Sequence, residues 1–157
     1  VTTIATDKGL PIILPPKPDP DEPPPEIKMK QRNIWKVLIN SKDMLLVEEE
    51  RMDVSLLKEK TKEFLANRGR NPQLSDSPKD AVVSIKADRG TSYEMYIYVI
   101  DEIKAAYHEL RAEFLGITIE KYLRLNKKNK RDKAMYDKAR REYPLQISEA
   151  EPTDYGI

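Results

Sequence analysis

The sequence predicts a two-layer α+β sandwich, with two main helices on one face of a small mixed β-sheet and an inserted basic helical segment. Residues 81–107 carry most of this prediction, because they read as a buried strand, a tight polar connection and an amphipathic helix. Two strand patterns and another helix pattern precede them, and one strand pattern lies near the end of the chain. Neither main helix can bury its apolar stripe alone, whereas one sheet face can cover both. The order strand-strand-helix-strand-helix-strand therefore favours two layers around one core.

The composition indicates one highly charged domain with tails. The chain has 157 residues, of which 35% are charged. It contains no cysteine, which excludes a disulfide framework and thiolate chemistry. No apolar run approaches the roughly 18 residues of a membrane-spanning helix, and no secretory signal is visible. Because the sequence begins with Val1 rather than methionine, it reads as a processed or excised piece.

Residues 1–30 are predicted to form an extended spacer ahead of a folded domain at residues 31–150. Eight of the twelve prolines lie between Pro11 and Pro25. Proline fixes φ and lacks an amide donor, so this tract favours polyproline conformations and resists helix. Alternating aliphatic residues inside it would point to one side of an extended chain; these are Leu10, Ile12 and Leu14. The tract is either a linker with a few apolar residues or a short strand that pairs with a partner.

The first part of the domain is predicted to contain a β-hairpin and a helix. Residues 34–39 and 44–47 read as the two strands, joined by a loop of turn-forming residues at 40–43. Asp53 is the expected N-cap of the helix, and Gly69 is expected to stop it. One face of this helix should be buried, with Val54, Leu57, Thr61, Phe64 and Leu65.

The next unit is a strand at residues 81–87 followed by a long helix. Val83 and Ile85 alternate with polar residues, which is the period of a strand. Thr91 and Glu94 have the spacing of a capping box, in which each side chain accepts a bond from the other residue's amide. An apolar stripe then recurs at every third or fourth residue and should face the sheet: Tyr93, Ile97, Ile100, Ile103, Tyr107, Leu110 and Phe114.

The end of the domain is predicted to hold a helix break, a charged helix and a last strand. Gly116 and the β-branched residues after it should interrupt the long helix. Residues 127–142 have a helical pattern with a thin apolar edge, and Pro144 ends it. Leu145 and Ile147 alternate with polar residues, as in a strand. Residues 151–157 are expected to be a tail.

The segment 121–141 is strongly basic, although the net charge of the whole chain is only +1. It holds ten basic and two acidic side chains, a local charge of +8. Its thin apolar edge predicts that it projects from the compact domain. The charge is consistent with a solvated helix, with binding to an anionic membrane or cell-wall polymer, or with a nucleic-acid site. No nucleic-acid module is recognisable, and the candidates for anionic-surface binding are Lys127, Lys128, Lys130 and Arg131.

Catalytic chemistry has little support in the sequence. The single histidine, His108, lies off the apolar stripe beside basic residues, so it is predicted to be a solvated surface side chain. The sequence shows no glycine-rich phosphate loop, no metal-ligand spacing and no nucleophile elbow. We therefore expect no enzyme activity, no metal and no cofactor.

The strand–helix unit resembles the signature of the ExbD/TolR biopolymer-transport family. The resemblance rests on Ala87 and Asp88, on Tyr93 and Glu94 after a gap of four residues, and on Val99, Ile100 and Asp101 further along the helix. The proline-rich tract is similar to a motif that acts in this family as an exchanged or partner-binding strand. The candidate partner-binding residues are therefore Leu10, Ile12, Leu14 and Pro15. The resemblance covers residues 4–15 and 33–107 and is poor over 116–142. It implies the two-layer architecture and assigns no role to the basic insertion.

The resemblance implies a non-enzymatic role at the inner membrane of a double-membraned bacterium. The chain would be the periplasmic domain of a single-pass inner-membrane protein, with its membrane helix before Val1. An ExbD-like protein would act as a homodimer with an ExbB-like channel subunit. It would couple the proton-motive force to a TonB-like protein for outer-membrane nutrient import, using a proton-carrying aspartate in the membrane helix. The alternative is a TolR-like protein that binds peptidoglycan and maintains envelope integrity.

Overall fold

The computed structural model describes residues 3–5 and 30–150 and confirms an α+β sandwich with a mixed sheet. The described elements are β1 (Thr3–Ala5), β2 (Ile34–Ile39), β3 (Leu45–Val47), β4 (Glu50–Arg51), α1 (Leu57–Leu65), β5 (Val82–Ala87), α2 (Tyr93–Leu115), α3 (Ile119–Leu123), α4 (Lys130–Glu142) and β6 (Ile147–Ala150). The predicted strand motif with Leu10, Ile12, Leu14 and Pro15 and the tail at 151–157 lie outside the described residues. The predicted spacer at residues 1–30 is described only at Lys30 and at Thr3–Ala5, and the latter pair with β6 as a strand of the sheet.

The sheet has the strand order β1-β6-β5-β2-β3-β4. The three central strands β6, β5 and β2 are parallel, and the other three are antiparallel to their neighbours. Val83 lies opposite both Trp35 and Ile147 in the register. Buried residues of the three central strands therefore line up on one face.

The helices α1 and α2 cover that face and form one core with it. Along β2, Trp35, Val37 and Ile39 are buried, whereas the residues between them are not. The Trp35 ring stacks on Phe64 with a centroid distance of 5.0 Å. Its Nε1 donates to Thr61 Oγ1 at 3.1 Å. Because the indole N–H has a buried partner, the tryptophan can lie inside without an unsatisfied donor.

The hairpin extends further than predicted, because β3 turns into the short strand β4. Glu48 and Glu49 form the two-residue turn with φ angles of 52° and 70°, a region that residues other than glycine seldom adopt. The Glu48 amide donates to the Lys36 carbonyl at 2.9 Å, and its Oε1 accepts from the Lys36 amide at 2.8 Å. These two bonds offset the strain. A Glu-Glu pair carries none of the usual turn signals.

Helix α1 starts later and ends earlier than predicted. Asp53 is an N-cap, and its Oδ1 accepts from the Ser55 amide at 2.9 Å, but it caps a short 3₁₀ helix at Val54–Leu56. Helix α1 follows this turn from Leu57. The helix ends at Leu65 rather than near Gly69. The cause is Asn67, whose buried side chain bonds to backbone groups of the following loop and so turns the chain inward.

The predicted stripe of α2 is buried in its middle and exposed at both ends. Ile103 and Tyr107 are fully buried. Tyr93 and Phe114 are 74% and 39% exposed, so their assignment to the core was wrong. A helix of 23 residues is about 35 Å long, whereas a strand of six residues spans about 20 Å. The helix ends therefore extend beyond the sheet.

The predicted break after α2 is confirmed. Gly116 has a φ of 68° and caps the helix, a left-handed conformation that glycine adopts without a Cβ clash. The charged helix α4 starts after its N-cap Asn129 and ends before Pro144. The last strand starts at Ile147, two residues later than the pattern of Leu145 suggested.

Candidate functional site

The β5–α2 connection, residues 88–92, is tied to the β2–β3 loop, residues 40–43. Thr91 Oγ1 donates to the carbonyl oxygens of Ile39 and Asn40 at 3.2 and 3.1 Å. The Ser92 amide donates to Asp43 Oδ1 at 2.8 Å. These bonds fix the start of α2 to the end of the sheet.

The predicted capping box of Thr91 and Glu94 is wrong. The N-cap of α2 is Ser92, whose Oγ accepts from the Met95 amide at 3.2 Å. The Thr91 hydroxyl is directed at the neighbouring loop instead, and Glu94 is exposed. Adjacent threonine and serine residues offer two N-caps, and only the tertiary contact of Thr91 decides between them.

Asp88 shapes the same connection mainly through its backbone. Its amide donates to the Ile39 carbonyl at 2.9 Å, and its carbonyl accepts from the Thr91 amide at 3.1 Å. Gly90 has a φ of 94°, and a Cβ there would lie 3.4 Å from Ser41 Cβ. The motif residues Ala87 and Asp88 therefore build the junction.

Three motif residues on α2 are exposed, namely Tyr93, Glu94 and Asp101, whereas Val99 and Ile100 of the same motif are buried in the core. Glu94 and Asp101 are exposed, and Tyr98 between them is 49% exposed. Spacings of four and three residues place these side chains on one side of the helix, away from buried Ile103. Tyr93 adjoins them at the first turn. We call Tyr93, Glu94, Tyr98 and Asp101 the outer stripe; its phenol rings and carboxylates suit a protein contact.

The second half of α2 has its outer face covered. We call residues 117–142, which form α3, α4 and their connection, the basic lobe. A second apolar cluster joins it to α2, built from buried Ala112, Tyr122 and Ala139 with Leu115, Ile117, Ile119, Leu125 and Tyr136 around them. The prediction that this segment projects from the domain was therefore wrong. Two alanines at the contact allow close packing, so a thin apolar edge is enough.

Arg111 holds the lobe in place from inside the protein. Its side chain is only 1% exposed. Nε and Nη2 donate to the Tyr143 carbonyl at 2.9 and 2.7 Å, and Nη1 lies 3.2 Å from the Tyr122 hydroxyl oxygen. The fixed fork of guanidinium donors lets one side chain connect α2 to α3 and to the end of α4. No sequence pattern distinguishes this arginine from the exposed ones.

His108 belongs to the same contact, so its prediction as a solvated side chain was wrong. It is half-buried, and its ring centroid lies 5.6 Å from that of Tyr122. Tyr122 stacks in turn on Tyr136 at 6.3 Å. The histidine lies off the core stripe, as predicted, but the basic lobe covers that side of the helix.

The four predicted anionic-surface residues are exposed and lie together in the chain. Lys127 and Lys128 belong to the α3–α4 connection, and Lys130 and Arg131 to the first turn of α4. Lys127 Nζ lies 4.1 Å from the centroid of the Tyr136 ring. A cation over an aromatic face is held there by the ring quadrupole.

A cleft of about 330 Å³ lies beside the start of α2, between the hairpin and the segment that leads into α1. Its lining includes Met52 and Met95 together with Asp43 and Asp53. Both carboxylates accept backbone amide bonds, and the bond from the Ser55 amide holds the pKa of Asp53 below its usual range. Both carboxylates are therefore engaged by backbone amides, Asp53 as an N-cap and Asp43 as a link to the start of α2. Within residues 3–5 and 30–150, no three His, Cys, Asp or Glu side chains could hold a metal ion.

No helix in the described part of the chain is both long and apolar enough to cross a membrane. Comparison with known proteins gives one family match: the model described as "Biopolymer transport protein ExbD/TolR" matches residues 1–112. This range contains the sheet strands β1 to β5, helix α1 and most of α2, and it stops before the basic lobe. No curated protein matches the chain.

Proposed function

Because the chain belongs to the ExbD/TolR family of biopolymer-transport proteins, we propose that it is the periplasmic domain of an ExbD-like, single-pass inner-membrane protein. In this proposal it forms a homodimer and works with an ExbB-like channel subunit. It contacts a TonB-like protein and so transmits the proton-motive force to outer-membrane nutrient import. The domain acts by binding, without enzyme activity or a cofactor. Residues 1–30 are its spacer, apart from β1, which pairs with β6 in the sheet; residues 31–150 are its main folded part and residues 151–157 its tail.

The observation that supports a contact role most directly is the exposure of the outer stripe. Three of its residues belong to the family signature, and none of the three is buried. Glu94 caps nothing, Tyr93 is 74% exposed, and Asp101 lies away from the core. Tyrosine contributes a large contact area at a small cost in conformational entropy, so it is enriched at interfaces. A surface of this kind fits a partner protein better than a small molecule.

Charge reversal of the stripe tests the proposal. Glu94→Lys with Asp101→Lys should weaken binding of the periplasmic segment of the TonB-like protein at least about tenfold, the loss expected when central contacts are removed. Glu59→Lys with Glu120→Lys makes the same charge change at two exposed sites on α1 and α3 and should leave the affinity unchanged. Equal affinities for the stripe variant and the wild type in isothermal titration calorimetry would reject the stripe as the contact.

A second contact is proposed for the N-terminal strand motif. An extended segment can add to a sheet edge through backbone bonds and select its partner through alternate side chains. Ile12→Asp with Leu14→Asp should leave the melting temperature unchanged but weaken dimerisation or binding of the TonB-like segment. Ile27→Asp with Met29→Asp adds the same charge of −2 elsewhere in residues 1–30 and serves as the control. Unchanged association in both analytical ultracentrifugation and the titration would remove this proposal.

The TolR-like alternative shares the fold and the family match, and the choice between them depends on the partner. It predicts capture of the cell's TolA-like protein rather than the TonB-like one, and co-sedimentation of the isolated domain with purified peptidoglycan. Parallel capture experiments with both proteins distinguish the two, because an ExbD-like domain should retain only the TonB-like one.

A further inference from the structure

The basic lobe presents an array of cations outside the residues that the family model matches. Nine of the ten basic side chains in segment 121–141 are exposed: Lys121, Arg124, Lys127, Lys128, Lys130, Arg131, Lys133, Lys138 and Arg141. Among the described residues, no carboxylate lies within ion-pair distance of these nine. The tenth, Arg140, pairs with Asp137 at 3.6 Å.

The two acids of the segment are both used inside the lobe. Asp137 forms the pair with Arg140. Asp132 Oδ2 accepts from the Asn126 amide at 3.0 Å and so holds the connection between α3 and α4. Neither carboxylate is directed at the exposed cations, which leaves these cations available for an external anion.

The lobe is a fixed platform rather than a loose arm. Arg111 bonds it to α2, and the rings of Tyr122 and Tyr136 stack within it. Two of the cations rest on aromatic faces. Lys127 Nζ lies 4.1 Å from the centroid of Tyr136, and Lys138 Nζ lies 5.6 Å from that of Phe114. An array held in this way loses little conformational entropy when it binds a surface.

An apolar side chain among the cations indicates the kind of surface. Leu123 is 63% exposed, and its neighbours Lys121 and Arg124 are exposed as well. Cations flanking an exposed leucine are typical of a surface that lies at the headgroup boundary of a membrane. A polysaccharide or nucleic acid would use the charges but would gain little from the leucine. We propose that the basic lobe binds anionic phospholipid membranes, with its cations on headgroup phosphates and Leu123 inserted between the headgroups.

The charge of the rest of the chain orients this contact. The whole chain has a net charge of +1, with +8 in residues 121–141 and −1 in residues 1–30, so the remaining residues carry −6. An anionic surface attracts the lobe and repels the acidic remainder. The domain therefore approaches a membrane with the lobe end first.

Vesicle sedimentation with the full 157-residue chain tests the proposal. The protein should bind phosphatidylglycerol-containing vesicles and leave pure phosphatidylcholine vesicles unbound. Changing Lys127, Lys128, Lys130 and Arg131 to Glu should lower the partition coefficient at least about 100-fold, because each cation near an anionic surface contributes roughly fivefold. Binding should also fall between 0.1 and 1 M salt, as the Debye length shrinks from about 10 Å to about 3 Å.

The matched control changes Lys42, Lys60, Lys79 and Lys104 to Glu, four exposed lysines outside the lobe. It makes the same net charge change and should keep the partition coefficient within about fivefold, the contribution of one cation. An equal loss in both variants would show that binding follows net charge alone and would overturn the proposal. Should the reversed variant fail to fold by circular dichroism, Lys127→Gln with Lys128→Gln replaces it, with an expected loss of at least about tenfold.

The variant Leu123→Ala distinguishes binding to a lipid membrane from binding to a polymeric anion. It should weaken vesicle binding several-fold, because the alanine buries less apolar area, and should leave binding to soluble polyphosphate unchanged. Vesicle binding that is insensitive to Leu123→Ala, together with tighter binding to purified cell-wall sacculi, would assign the lobe to the polymer and reject the membrane.

Discussion

The two halves of α2 differ in what covers their outer face. In the first half, residues 93–104, that face stays open and carries the outer stripe. In the second half, residues 105–115, the basic lobe packs on the same side of the helix through Ala112 and Arg111. The family match ends at residue 112, within the covered half. One helix therefore serves a two-layer fold at its start and a local three-layer arrangement at its end, and the contact surface we propose is confined to the open half.

In the covered half of α2, the removal of the Arg111 side chain should cause the largest loss of unfolding free energy among these predictions. Arg111→Ala removes the buried bonds to the Tyr143 carbonyl and the Tyr122 hydroxyl and creates a cavity, so we expect a loss of about 3–5 kcal/mol of unfolding free energy. Urea denaturation measures it. Arg124→Ala, at an exposed arginine nearby, is the control and should cost less than about 0.5 kcal/mol. A small effect at Arg111 would mean that the lobe is held by its apolar contacts alone.

The core under the open half should depend on ordinary packing. Ile100→Ala leaves a cavity below the outer stripe and should cost about 2–5 kcal/mol. The measurement is the same denaturation series. Ile100→Val, which removes one methylene, should cost only about 0.5–1.5 kcal/mol. Equal costs for the two substitutions would show that the surrounding side chains collapse into the space instead of leaving a cavity.

The start of α2 should depend on the cap at Ser92. Ser92→Ala removes the acceptor for the Met95 amide and should lower the unfolding free energy by about 1 kcal/mol. Ser92→Asp keeps a side-chain acceptor next to the positive end of the helix dipole, so most of the stability should remain. If both variants lose the same stability, the cap does not contribute as described.

The smallest expected effect is a loss of stability at alkaline pH. It involves Tyr96, which lies on the side of the first half of α2 that faces the sheet. Burial, helped by the Glu149 carboxylate, raises the pKa of Tyr96 to about 12. Its unfolded value is about 10, so the folded pKa is the higher one. This contribution to stability is complete below pH 10 and is lost as the pH rises through 12. The phenolate absorbance titrations of the wild type and of Tyr96→Phe should differ near pH 12 rather than near the pH of about 10 at which an exposed tyrosine titrates; a difference centred near pH 10 would contradict the assignment.

The sequence predicted the inner face of α2 and the main strands well, because the apolar residues that recur with the period of a helix or a strand are the ones that are buried there. Ile103 and Tyr107 could be assigned to the core by spacing alone. The covering of the outer face of α2 could not be predicted from apolar periodicity. Its covering depends on Ala112, Ala139 and one buried arginine, and neither small residues nor an arginine on a charged helix signals burial. The motif tyrosine Tyr93 was misassigned for a related reason: periodicity does not report where a helix extends beyond its sheet.

The most direct test of the contact surface is an NMR titration of the ¹⁵N-labelled domain with the periplasmic segment of the TonB-like protein. Our account predicts that amide shift changes concentrate at residues 93–101, on the open half of α2, and at the N-terminal strand motif. Residues 108–115, beneath the basic lobe, should change little. Shift changes confined to the lobe or to α1, with none at residues 93–101 under saturating partner, would contradict it.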